Sequence, residues 1–208
     1  MHRAYGTVLK KEIDMQRTSR LHRKTGETDI RLELCLDGKG ECEIISPVMF
    51  LNHMLNLFAF HSGFDLFIEA TGDTEIDDHH TVEDLAICLG QAVKEALGDK
   101  KGINRYGSFI LPMDEARASV SLDISGRPFY LYNGPELKGR TGSFDCTLLH
   151  EFMRAFAGNA SITLHITVEA GDNLHHIVEA VFKATARACA IAVQVTGSKI
   201  PSSKGKLN

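Results

Sequence analysis

No run of apolar residues in this 208-residue sequence approaches the ~20 that a membrane-spanning helix needs. The opening stretch Met1–Gly6 lacks the apolar segment of a secretory leader. The five cysteines, Cys35, Cys42, Cys88, Cys146 and Cys189, include no Cys-x-x-Cys pair and are odd in number, which argues against a disulfide framework and for reduced packing residues. A cytoplasmic protein is the expectation. Charge of one sign is lacking too: the formal net charge is -4, spread without long runs. No electrostatic footprint for nucleic acid or a membrane surface follows from that distribution.

A hydrophobic content of 43% over 208 residues supports a sizeable core, in one domain or two fused half-domains. Two stretches share an unusual spacing of metal ligands, Asp77-Asp78-His79-His80-Thr81-Val82-Glu83 and Asp172-Asn173-Leu174-His175-His176-Ile177-Val178-Glu179. Each runs into an apolar-periodic helix, where a histidine and a glutamate three or four residues apart can converge on one ion. Adjacent histidines diverge by about 100° on a helix. His79 and His80 are therefore expected to serve two different metals, as are His175 and His176.

The boxes belong to a longer internal repeat. Leu57-Phe58-Ala59 corresponds to Ala155-Phe156-Ala157 at an offset of 98, Glu69-Ala70 to Glu169-Ala170 at 100, and the boxes to each other at 96. Residues 1–100 and 101–208 read as one unit used twice. In the first, 29–36 and 41–45 alternate about Asp37-Gly38-Lys39-Gly40, a hairpin signal, followed by a helix over 47–62, a strand over 64–71 and a helix over 79–97 closed by Gly98. In the second, strands near 108–111, 117–124 and 129–131 precede a helix over 145–158, a strand over 162–169 and a helix over 174–196. Hairpins followed by helices argue an α+β fold, with antiparallel sheets covered on one face.

The ligand inventory is His79, His80, Glu83, His175, His176 and Glu179, joined by His53 and by the pair His150-Glu151. Nitrogen and carboxylate donors without thiolate favour manganese, iron, zinc or nickel. Asp77 and Asp78 read as helix caps rather than ligands. Arg105, Arg127, Lys183 and Ser202-Ser203-Lys204 are individually ordinary surface groups; together they are the donors a phosphate monoester requires. Glu27, in Arg23-Lys24-Thr25-Gly26-Glu27-Thr28, would pass by itself as an exposed glutamate at a strand entry.

These residues fit a known pattern. Residues 23–28, 50–61 (FLNHMLNLFAFH), 76–86 (IDDHHTVEDLA), 103–115 (INRYGSFILPMDE), 122–128 (LDISGRP), 163–165, 173–188 and 201–205 together make the chain strongly resemble the imidazoleglycerol-phosphate dehydratase family of histidine biosynthesis. The resemblance implies two half-domains, each with a four-stranded, mainly antiparallel sheet and two helices, the helices packed between the sheets. It implies a carbon–oxygen lyase that dehydrates imidazole glycerol phosphate to imidazole acetol phosphate with two manganese ions per active site, other divalent metals being possible. The implied ligands are His53, His79, His80, Glu83, His175, His176 and Glu179, plus an eighth from the second half. Implied substrate contacts are Glu27, His53, His61, Arg105, Arg127, Lys183, Ser202, Ser203 and Lys204. The resemblance further implies a homo-oligomer of 24 copies with active sites between subunits.

Three departures stand out. Asn52 replaces a usual Asp and Phe60 a commonly basic residue, which would tune the site without removing it. The eighth ligand falls in His150-Glu151, where the repeat decides: the offset that maps Phe58 onto Phe156 maps His53 onto Glu151. Glu151 is preferred, with His150 the alternative.

The substrate of such an enzyme has no carbonyl to acidify the departing proton, so the imidazole must serve as the electron sink. Metals on both ring nitrogens would stabilise an imidazolate and promote hydroxide loss through a diazafulvene-type intermediate. Glu27 is the candidate acid/base; with it, the leading histidines His79 and His175 form the expected catalytic set. The rival readings are a dinuclear metal hydrolase and a non-catalytic metal-binding assembly.

Overall fold

Period-two alternation becomes strand where one face finds a core: β2, Thr28–Cys35, buries Ile30, Leu32 and Leu34 and turns Arg31 and Glu33 outward. The computed structural model describes residues 16–207. The opening stretch, on which the absence of a leader was argued, and the first part of the 1–100 unit lie outside the described residues. With β1 (Thr18–Lys24), β3 (Cys42–Ile45) and β4 (Asp65–Gly72), β2 forms a sheet of order β1-β2-β4-β3. The second sheet, of β5 (Tyr106–Met113), β6 (Ala116–Asp123), β7 (Phe129–Asn133) and β10 (Thr163–Ala170), has order β5-β6-β10-β7. In each sheet two pairs are antiparallel and the last, β3 with β4 or β7 with β10, is parallel. A small ladder of β8 (Arg140–Thr141) and β9 (Phe144–Asp145) is an addition of the second half.

The expected hairpin of 29–36 with 41–45 does not form. Strand β4 lies between β2 and β3, because the polar groups of the Asp37–Gly40 turn are satisfied from β4: Lys39 and Glu41 donate their backbone N–H groups to Asp65 Oδ1 at 2.7 and 3.0 Å. Alternation marks a strand and leaves its partner open. The hairpins that do form join β1 to β2 and β5 to β6. β1, polar along most of its length, is a strand that periodicity alone missed.

Four helices occur among the described residues: α1 (Met49–Ser62), α2 (His79–Leu97), α3 (Leu148–Ala160) and α4 (Leu174–Val193). α2 lies on β1, β2 and β4, and α4 on β5 and β6; α1 packs on α4, and α3 on α2. The helices thus fill the space between the sheets, each pairing with one from the other half. The α2 stripe Val82, Leu85, Ala86, Leu89 and Val93 is buried at helical spacing. Phe58 of α1 meets Phe156 of α3 edge-on, ring centroids 6.1 Å apart. Gly63, at φ 75°, ends α1 by donating to Ala59 O. Helix α3 starts three residues later and ends two later than the expected 145–158, and α4 starts at Leu174 as expected but ends three residues before 196. All five cysteines are free thiols, with Cys88, Cys146 and Cys189 buried. No helix among the described residues is long and apolar enough to cross a membrane.

The helix pairs approach closely. A Cβ added at Gly90 of α2 would lie 2.7 Å from Phe156 O and 2.9 Å from Ala160 N on α3. Gly to Ala in a helix interior ordinarily stabilises by about 1 kcal/mol. Here the contact is with backbone, so Gly90→Ala is expected to destabilise by about 1–3 kcal/mol in chemical denaturation; equal or greater stability would show that α2 and α3 separate freely.

Candidate metal centre and active site

Both boxes start a helix. Asp77 Oδ1 accepts from His79 N at 2.8 Å, and Asn173 Oδ1 accepts from His175 N at 2.9 Å, the same side-chain cap built twice. Asp78, also expected to cap, makes no such bond, and burial raises its carboxyl above the usual range. Pinning the first turn fixes how the histidines leave it. The rings of His79 and His80 stand 6.1 Å apart at 86°, those of His175 and His176 6.1 Å apart at 76°.

The first histidine of each box turns to its own glutamate. His175 Nε2 is 3.0 Å from Glu179 Oε2, and His79 Nε2 is 3.9 Å from Glu83 Oε2. The second turns away to a loop carboxylate: His80 Nδ1 is 3.0 Å from Asp73 Oδ2, and His176 Nδ1 is 2.7 Å from Glu115 Oε2. These carboxylates raise both imidazole pKa values, the side-chain hydrogen bond being the main cause in each. In return Glu115 is lowered to about 2, chiefly by its bond to His176. Occupying Nδ1 leaves Nε2 as the free ligand atom.

α1 supplies His53 to the second box, its Nε2 3.4 Å from Glu179 Oε2. His53, His175 and Glu179 offer ligand atoms all within 4.8 Å of one another, as do Asp114, Glu115 and His176. Glu179 is buried. Burial pushes its carboxyl up, but Lys183, with Nζ 2.5 Å from Oε1, and the histidines His175 and His53 bring the net below the usual range.

The first box has no such three-ligand cluster among the described residues. Instead the guanidinium of Arg154 on α3 stands between Glu83, at 3.9 Å, and Glu151, to which it is bonded. Glu151 thus faces the first box as His53 faces the second. His150 points elsewhere, its Nδ1 3.0 Å from Tyr130 Oη and its ring edge-on to Tyr132 at 4.5 Å; burial lowers its pKa. His61 is half-buried and likewise lowered, by burial first and then by Lys183 and Arg187. Glu27, in the β1–β2 turn, comes within 3.8 Å of His80 Nδ1.

The departures from the family pattern find places. Asn52 is buried, accepting from Ser46 Oγ at 2.5 Å and donating from Nδ2 to Ser46 O at 2.9 Å, a pairing that requires a donor an aspartate lacks. It secures the entry to α1 instead of touching a ligand. Phe60 is exposed, its ring edge-on to His61.

A separate polar cavity of about 280 Å³ is lined by Arg105, Arg127, Ser202, Ser203 and Lys204 together with Ser125 and Lys206. Arg105, in a left-handed conformation at φ 71°, is gripped through Nε and Nη2 by the two oxygens of Asp123 at 2.7 and 3.0 Å, while Nη1 donates to Pro201 O at 3.0 Å. One guanidinium therefore ties strand β6 to the C-terminal segment. Lys183 does not line this cavity: it was grouped with the phosphate donors, and the structure sets it on Glu179. Sequence reasoning missed Asp73, Glu115, Asp123, Arg154 and Lys206, because isolated charged residues carry no signal until the fold supplies their partners.

The pattern defining the imidazoleglycerol-phosphate dehydratases matches residues 46–189. The enzyme of that name from Pelobacter propionicus is 56% identical over 181 residues, 87% of this chain and 93% of that protein. The one from Geobacillus kaustophilus is 52% identical over 195 residues, 93% of this chain and 100% of that protein. The crystal structure of imidazoleglycerol-phosphate dehydratase from Staphylococcus aureus superposes with a TM-score of 0.78 at 44% identity, covering 86% of this chain and 99% of that one. IGPD from Pyrococcus furiosus, in complex with (S)-C348, gives 0.77 at 38% identity, covering 90% and 100%.

Removing the guanidinium that holds Pro201 tests how the polar cavity is closed. A charged hydrogen bond contributes about 1.5–3 kcal/mol, so in Arg105→Ala the amides of 202–205 are expected to exchange with solvent roughly tenfold or more faster. Unchanged exchange would mean that the segment is held by other contacts.

Proposed function

The chain belongs to the imidazoleglycerol-phosphate dehydratase family, and from that premise we propose that it removes water from imidazole glycerol phosphate to form imidazole acetol phosphate, as a carbon–oxygen lyase of histidine biosynthesis. The observation that carries the reading is the convergence of His53, His175 and Glu179, with ligand atoms within 4.8 Å, beside histidine pairs whose rings diverge. Two imidazole nitrogens and a carboxylate, without thiolate, suit manganese or a similar divalent ion. His53, His175 and Glu179 would hold one ion. His79, Glu83 and Glu151, with His80 and His176, supply the remaining donors for a second.

The first-box donors do not close on an ion within one chain, which supports a site completed by another copy of the chain. The expected assembly is a homo-oligomer of 24 subunits with active sites between them. The shared strand order of the two sheets supports reading 1–100 and 101–208 as a duplicated unit. Five free thiols suit a reducing cytoplasm.

Divalent ions held by these residues would supply positive charge that lowers the cost of the negative charge developing as the C–H bond breaks. Glu27, exposed and 3.8 Å from His80, accepts that proton. The hydroxyl would leave as water on a proton returned by Glu27, through a diazafulvene-type state, and the enol tautomerises to the ketone. Arg105, Arg127, Ser202, Ser203 and Lys204 bind the phosphate, converting remote binding energy into orientation at the reacting carbons. His61 and Lys183 line the approach beside Glu179.

Manganese-loaded protein given imidazole glycerol phosphate is expected to form the ketone without releasing inorganic phosphate; phosphate release alone would indicate a hydrolase. Glu27→Gln is expected to keep its metal, measured by elemental analysis, and to lose roughly 10²–10⁴-fold in kcat. Normal turnover in that variant would exclude Glu27 from proton transfer. Deleting 201–208 is expected to raise KM roughly tenfold or more while metal stays bound, and unchanged steady-state kinetics would remove the segment from phosphate binding.

A further inference from the structure

Asp84 follows Glu83 on α2, about 100° further round the helix. It faces away from the box and is buried, 7% exposed. Both its oxygens are committed to the β1–β2 connection. Arg23, near the end of β1, brings Nε and Nη2 to Oδ1 at 3.0 and 2.8 Å, and Thr28, the first residue of β2, donates its hydroxyl to Oδ2 at 2.5 Å. Of the four residues between them, Lys24 ends β1, and Thr25, Gly26 and Glu27 form a closed turn. Thr25 N donates to Thr28 O at 2.9 Å, and Thr25 Oγ1 accepts from the backbone of Glu27 and Thr28 at 3.1 and 3.0 Å.

We infer that Asp84 is a positioning residue, a clamp that holds the turn bearing Glu27 against the helix bearing His79, His80 and Glu83. The inference rests on the reading of Glu27 as the proton-transfer group. The Glu27 side chain is itself more than half exposed, and its one ion pair among the described residues is with His80 at 3.8 Å. Its own contacts therefore do not fix its place; the two ends of its turn do. Because Arg23 and Thr28 grip a carboxylate adjacent in sequence to a box glutamate, the distance from Glu27 to the box is set by one helix residue. Displacing a catalytic group by about 1 Å can cost on the order of 10²-fold in rate. The clamp makes no contact with a ligand side chain of the second box or with the phosphate cavity, so metal binding there and substrate capture do not depend on it.

The test compares Asp84→Asn, Thr28→Val and Thr28→Ser in the manganese-loaded full chain, with metal content and melting temperature measured beside kcat and KM. Asp84→Asn and Thr28→Val are expected to lower kcat roughly 10–100-fold with KM and bound metal within twofold, and Thr28→Ser, which keeps the hydroxyl, to restore turnover. In a Glu27→Gln background the same changes are expected to cost nothing further, since the group they position is gone. A loss that adds in full to that of Glu27→Gln, or that follows metal content or KM, overturns the clamp and leaves Asp84 a packing residue. Normal turnover by Glu27→Gln alone would instead remove the reading beneath the inference. Should Asp84→Asn fail to fold, the Thr28 pair carries the same comparison, the valine and serine forms differing in the hydroxyl.

Discussion

Two imidazoles on consecutive residues of a helix cannot point the same way, and the site is organised around that constraint. At 3.6 residues per turn the side chains leave about 100° apart, and the side-chain caps from Asp77 and Asn173 hold the first turn so that the angle is kept. One ring then runs along the helix to its own glutamate, and the other swings out to a loop. The two boxes repeat this with ring angles of 86° and 76°. The outer carboxylates Asp73 and Glu115 come from different loops, yet each takes Nδ1 of the second histidine. Convergence on that geometry from unlike surroundings marks it as what the boxes require.

The packing of the helices brings a further side chain near each box. The sheets hold one helix apiece flat, and the remaining helices cross between halves, so that α1 delivers His53 to the second box and α3 delivers Glu151 towards the first. Close approach is possible because Gly90 presents no side chain to α3 and because Phe58 and Phe156 fill the centre. Charge is balanced in the same pattern. Each box glutamate has a basic neighbour, Lys183 on Glu179 and Arg154 on Glu83, which offsets the cost of holding a carboxylate near a core. The polar cavity is built separately, around an arginine in a left-handed conformation that one carboxylate orients and that is bonded to the C-terminal segment.

Much of this was legible in the chain before any coordinates. The helices follow from apolar spacing, and the splay of the histidines from helical geometry alone. In the structure Glu151 shares Arg154 with Glu83, while His150 lies against Tyr130 and Tyr132. The reading went astray where a partner had to be chosen. The 29–36 and 41–45 segments alternate as strands should, but β4 comes between them.

Local rules act over a few residues, so the sequence by itself determined which segments are helix or strand, which side chains share a helix face, and that neighbouring histidines must part. What lies across a gap is decided by packing, where a contact depends on the whole path of the chain between its two members. Only the tertiary structure therefore decided that Asp73 and Glu115 orient the outer histidines, that Asp123 aims Arg105, and that Asp84 grips both ends of the turn carrying Glu27.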